Sequence, residues 1–157
     1  MLRAPRRWSM LATAIAVLTG CSADAQPVEL NPTGPIQGLP ACASEPPASA
    51  DPPVEGVQLP EGAIVTKVTP QGPLTTITGY LAMTPVQVRR YYQQREDLEI
   101  LFIEDEIYEA EILLSDGTYR SFIKALAQCA EGSRFVTVVA PEVDAQGLPV
   151  PTQQQGD

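Results

Sequence analysis

The side chains best equipped for chemistry in this 157-residue chain are carboxylates. Glu104, Asp105, Glu106, Glu109 and Glu111 form its densest acidic cluster. Hard cations such as Ca²⁺ take oxygen ligands, and two carboxylates can in principle serve as the acid and base of a glycosidase. The spacing lacks the Asp-x-Asp-x-Asp-Gly pattern of a calcium loop. In an extended strand Glu109 and Glu111 share one face and Glu106 points to the other. A solvated edge and turn, whose charge discourages edge-to-edge pairing, accounts for the same residues. The chain has no histidine. That removes the usual general base, the commonest transition-metal ligand and the Ser-His or Cys-His pair. The serines lie in linkers and turns with no nearby base, so nucleophilic catalysis has no support. The expectation is no catalytic residue, no metal site and no cofactor: not an enzyme.

Charge narrows the partners. Acidic residues outnumber basic ones 19 to 10. All the acids lie after residue 21, whereas Arg3, Arg6 and Arg7 lie before it, so the remainder carries 7 basic against 19 acidic residues, a net −12. Nucleic-acid binding rests on clustered Lys and Arg, so it is not expected. Electrostatic adhesion to anionic lipid is disfavoured for the same reason.

The N-terminal arginines are followed by an apolar run from Trp8 to Leu18 and then by small residues, the layout of a signal peptide over residues 1–20. The run is about 11 residues, against the roughly 20 that a spanning helix needs. Arg6-Arg7 resembles a twin-arginine signal, but Trp8-Ser9-Met10 departs from that pattern, which favours ordinary secretion. Directly behind the run, Leu18-Thr19-Gly20-Cys21 resembles the lipobox of bacterial lipoproteins at all four positions. The resemblance implies cleavage between Gly20 and Cys21 and a diacylglycerol and palmitate-type anchor on Cys21. It also implies a membrane partner reached through covalent lipid. Ser22, where an Asp would retain such proteins at the inner membrane, implies transfer to the outer membrane facing the periplasm, or the cell membrane if there is only one. With Cys21 acylated, Cys42 and Cys129 are the remaining pair, and an oxidising compartment suggests a disulfide between them. It would close a loop of nearly 90 residues, worth roughly 4–5 kcal/mol in the chain-entropy model.

Four segments must then position whatever acts. Residues 1–20 are the signal peptide. Residues 21–53 are a lipidated Cys plus a spacer rich in Pro, Ala, Ser and Gly, too poor in apolar surface to offset ordering entropy. With the disulfide in place, residues 22–41 would be the free tether. Residues 54–141 form the domain, and residues 142–157 show no pattern and read as a disordered tail.

Within the domain, 63–69 and 74–83 read as strands joined by a type I turn at Thr69-Pro70-Gln71-Gly72. Gly79 marks a bulge or a close backbone approach. Thr84-Pro85-Val86-Gln87 is a capping box with Pro at the first helical position, opening a helix to about Asp97. Val88, Tyr91 and Tyr92 make its buried stripe, and Arg89, Arg90, Gln93 and Gln94 face water. Residues 98–104, apolar on both faces, suggest a central strand. Asp116-Gly117 predicts a two-residue hairpin turn between 107–115 and 118–128. That register places Leu114 opposite Tyr119 and Glu109 opposite Lys124, the latter a cross-strand ion pair. Residues 134–140 form a last strand.

The order is summarised as β-β-α-β-β-β, a small single α+β domain with one helix packed on one face of an antiparallel sheet. This order, with Tyr91-Tyr92 in its helix, looks like small envelope domains found in many bacterial lipoproteins. The far face of the 107–128 hairpin carries Glu109, Glu111, Leu113, Arg120, Phe122 and Lys124. Mixed and half-wet, it is the expected partner surface. The functional expectation is a membrane-anchored envelope lipoprotein presenting a non-catalytic protein-interaction domain to an envelope protein. The alternative is a small-ligand or cation-binding lipoprotein that uses the acidic cluster and this mixed face.

Overall fold

The structure, a computed structural model, describes residues 34–48 and 54–148. The segment expected to be a signal peptide, the lipobox-like tetrapeptide and Cys21 lie outside the described residues. Six strands and one helix form an α+β unit: β1 (Ile64–Gln71), β2 (Leu74–Leu81), α1 (Pro85–Gln93), β3 (Glu99–Asp105), β4 (Glu109–Ser115), β5 (Tyr119–Cys129) and β6 (Gly132–Pro141). The order is thus β-β-α-β-β-β-β, one strand more than the order summarised from the sequence. All strands pair antiparallel in one sheet, β1-β2-β6-β5-β4-β3.

The helix begins as its sequence dictates. Thr84 N–H donates to Gln87 Oε1 at 2.7 Å, and Gln87 N–H donates to Thr84 Oγ1 at 3.4 Å. The reciprocal cap satisfies donors that the first turn leaves open. Val88 and Tyr92 are fully buried, and Tyr91 packs edge-on against Tyr92. Together with Leu98, they meet Ile77, Leu81, Ile112, Leu114, Ile123, Phe135 and Val139 from the sheet. The cluster also recruits Val54, Val57 and Leu59, so the segment before β1 lies over the same face as α1. Tyr92 Oη donates to the Gln58 carbonyl at 2.6 Å, fastening that segment to the helix. Ser121 and Thr137, on this face of β5 and β6, keep their hydroxyls buried without a hydrogen-bond partner.

Both hairpin turns sit later than the sequence suggested. β1 continues through Pro70, and the first turn is Gly72-Pro73, closed by the Gln71–Leu74 pair. A type I turn at 69–72 would splay the strands, whereas a turn with Gly at its first central position matches their twist. The second turn is centred on Gly117-Thr118, and Ser115 pairs with Arg120. Asp116 is the reason. Its carboxylate accepts the Thr118 and Tyr119 N–H groups at 2.8 and 2.7 Å, so it caps the turn from outside, and Gly117 takes the positive φ of 86°. Burial pushes the Asp116 carboxyl upward, but these N–H groups and the Gln58 amide outweigh it and hold the group below its usual range. The register moves by two residues, so Leu114 faces Ser121 instead of Tyr119. A shift of two preserves which face each side chain occupies.

β3 is an edge strand, not a central one. Its residues are apolar on both sides because both faces of the edge are covered. Ile100 and Ile103 join the helix-side cluster, and Phe102 packs into a second cluster on the other face. Leu101 sits at a register shift and is exposed.

The second cluster corrects two expectations. Leu113 and Phe122 are buried there by Ala145 and Leu148, with Leu74, Phe102 and Val138 around them. Glu142–Gly147, placed by the sequence in a patternless tail, form a 3-10 helix that lays these residues on the sheet. Arg120 Nη2 pairs with Glu142 Oε1, fixing the start of that helix.

Residues 34–48 form a strap along the β5–β6 turn. Ile36 is buried, its N–H donates to the Ala130 carbonyl at 2.7 Å, and Ala130 N–H donates to the Pro40 carbonyl at 2.8 Å. Cys42 and Cys129 are disulfide-bonded, with their Cα atoms 5.0 Å apart. The domain therefore includes residues before Val54, and the expected free tether of 22–41 overlaps the strap from Gly34 onward.

Candidate functional site

The acidic cluster of the sequence is gathered at one corner of the sheet. β3 and β4 bring Glu104 directly opposite Glu111, and Asp105 opposite Ala110. Glu106 and Glu109 close the hairpin between them through backbone hydrogen bonds. The five carboxylates border a shallow depression of about 100 Å³. Three of them already have cations. Lys124 Nζ reaches Glu109 Oε1 at 2.5 Å and Glu111 Oε1 at 2.8 Å. Arg89 on α1 meets Asp105 Oδ1 at 2.5 Å, so this arginine is half-buried in an ion pair instead of facing water alone.

The Glu109–Lys124 pair expected from the sequence is present, but the register makes it diagonal: Lys124 sits opposite Glu111, and Glu109 sits opposite Leu126. Hydrogen bonds from Lys124 to Glu109, then to Glu111, raise the lysine's pKa. These are part-exposed pairs, each of modest worth in water. Among the described residues, no group of three or more Cys, Asp or Glu is arranged to hold a metal ion.

The six residues expected to form a partner face are separated by the structure. Glu109, Glu111 and Lys124 are one ion-paired group. Arg120 is engaged with Glu142, and Leu113 and Phe122 lie under the 3-10 helix. What remains open lies elsewhere. Ile107 and Tyr108 are exposed at the tip of the β3–β4 hairpin, between Glu106 and Glu109 of the acidic corner; Leu101 is exposed on the β3 edge, and Val143 on the 3-10 helix. The tip was not foreseen because the strand expected over 107–115 included Ile107 and Tyr108, whereas β4 begins at Glu109. The cue was Ile107-Tyr108 wedged between acids on both sides, a sequence without β-strand alternation.

A second concavity, about 310 Å³, opens on the sheet face opposite α1, between the strap and strands β1, β2 and β6. Pro46 forms its strap wall, Tyr80 and Val136 its floor, and Arg134 and Gln128 its polar rim. Nothing in the sequence marked it, because its residues come from five separate stretches of chain.

No helix among the described residues is long and apolar enough to cross a membrane. No protein-family model matches the chain, and searches of curated proteins and of solved structures returned no match.

Proposed function

We propose that the chain is a bacterial lipoprotein, cleaved before Cys21, anchored by lipid on that residue, and acting in the envelope by binding a protein partner. One observation carries the reading. The tetrapeptide Leu18-Thr19-Gly20-Cys21 follows an apolar run directly, and the other two of the three cysteines are bonded to each other. Cys21 is then the one thiol left for lipid. A single acyl chain holds a protein only marginally, whereas the two or more chains of a lipoprotein anchor hold it stably. Ser22 favours the outer membrane, facing the periplasm, where two membranes exist.

The strap shortens the leash. Twelve residues, 22–33, separate Cys21 from the first described residue of the strap. Fully extended, they span at most roughly 40 Å. Within that reach the domain offers the exposed side chains of Ile107 and Tyr108 beside carboxylates. A partner with an apolar patch flanked by basic residues complements such a surface. The absence of histidine from the chain favours binding over acid–base catalysis.

Site-specific photo-crosslinking in cells tests the reading. A crosslinker at position 108 is expected to capture the same envelope protein reproducibly, whereas one at position 90, on the helix side, does not. Capture of no reproducible neighbour from position 108 would overturn the interaction reading.

A further inference from the structure

We infer that the groove beside the strap binds a small amphiphile: an apolar body carrying one anionic group, carboxylate or phosphate, paired to Arg134. The groove's volume, about 310 Å³, stands at the small end of ligand sites. Its lining is mostly apolar, and its cation lies at one end. Val136 is directly opposite Thr78 on β2, and Arg134 is directly opposite Tyr80, so the two positions follow one another along the same sheet face. Thr66, at the β1 register shift, donates to the Thr78 carbonyl at 3.1 Å and closes the edge nearest β1.

Charge selects the head group. β5 and β6 place three cations on this face. Arg120 is paired with Glu142, and Lys124 with Glu109 and Glu111. Arg134 has no ion-pair partner among the described residues, in a chain whose acids outnumber its bases 19 to 10. A ligand carboxylate or phosphate beside it would meet an uncommitted guanidinium suited to bidentate pairing.

The strap makes the site. Pro46 lies four residues after Cys42, so the Cys42–Cys129 bond anchors the wall it forms. Tyr80, whose ring is part of the floor, has its hydroxyl 3.9 Å from Cys129 Sγ. The disulfide, the strap and the floor are one unit, and the site depends on an oxidised protein.

The test is an NMR titration of the chain from residue 21, with Cys21→Ser so that no lipid is attached. The probes are sodium octanoate, octan-1-ol and acetate. Octanoate is expected to give saturable shifts centred on Thr78, Tyr80, Arg134 and Val136, and acetate alone is not. Arg134→Gln should weaken octanoate about three- to five-fold and leave octan-1-ol unchanged. Cys42→Ser, which frees the wall, should weaken both. Octanoate shifts that never saturate, or that centre elsewhere, would overturn the inference. So would octanoate and octan-1-ol binding alike with no effect of Arg134→Gln. The outcome is independent of the anchor, so failure here leaves the lipoprotein reading intact.

Discussion

Ile36 donates its backbone N–H to the Ala130 carbonyl at 2.7 Å, six residues before Cys42 bonds to Cys129. Two kinds of bond thus fasten the same strap to the same turn. The disulfide spans 87 residues of sequence, so it restricts the unfolded chain strongly. Replacing both cysteines with serine is expected to cost about 2–5 kcal/mol in urea unfolding. A thiol count on denatured, unreduced Cys21→Ser protein should find none. Two free thiols would contradict the pairing.

Lys124 holds Glu109 and Glu111, and Glu104 stands directly opposite Glu111. Lys124→Met leaves these carboxylates facing one another. Both partners are part-exposed, so after solvent screening the expected loss is about 1 kcal/mol at pH 7. The lysine itself sets the dependence on pH. Its pKa is raised in the fold, so its stabilisation is complete below the unfolded value near 10.4. It is lost as pH rises through the folded value. Unfolding midpoints of both proteins at pH 7 and above 10 check the sign: the gap between them should close at the higher pH.

Gly79 is a packing requirement. A Cβ there would lie 2.1 Å from the Ile64 carbonyl oxygen and 2.6 Å from the Phe135 ring. The first of these is backbone, which cannot swing away. Gly79→Ala is expected to destabilise the domain by about 2–3 kcal/mol, measured by denaturant unfolding. An effect below the usual helix or strand propensity difference would contradict the close approach.

The Thr137 hydroxyl is buried without a partner. Thr137→Val removes an unsatisfied polar group and keeps the branched shape. A threonine-to-valine change usually loses a hydrogen bond, but here none is lost. The expected effect is stabilisation by about 1 kcal/mol, seen as a raised unfolding midpoint. A loss of stability would show that the hydroxyl is hydrogen-bonded after all.

Local chemistry was legible in the sequence, and long-range placement was not. The Thr84–Gln87 cap, the Val88–Tyr92 stripe and the special role of Gly79 follow from residue types a few positions apart. The hairpin faces survived a register error because strand periodicity is two and the error was two. The misplacement of β3 had a different cause. Apolar side chains on both faces report cover on both faces, which a central strand and a wrapped edge share. The covered state of Leu113 and Phe122 depends on Ala145 and Leu148, a short irregular segment with no repeating pattern. The groove near Arg134 was invisible because five separate stretches of chain build it.

The anchor is the centre of the functional reading, and labelling tests it most directly. Cells expressing the chain are grown with an alkyne fatty acid and fractionated, and the protein is captured and weighed intact. The expected result is a labelled protein in the membrane fraction, lacking residues 1–20 and carrying the added mass of a lipid on Cys21. Cys21→Ser should abolish both the label and that cleavage. Unlabelled wild-type protein, or a mature N-terminus other than Cys21, would contradict the reading.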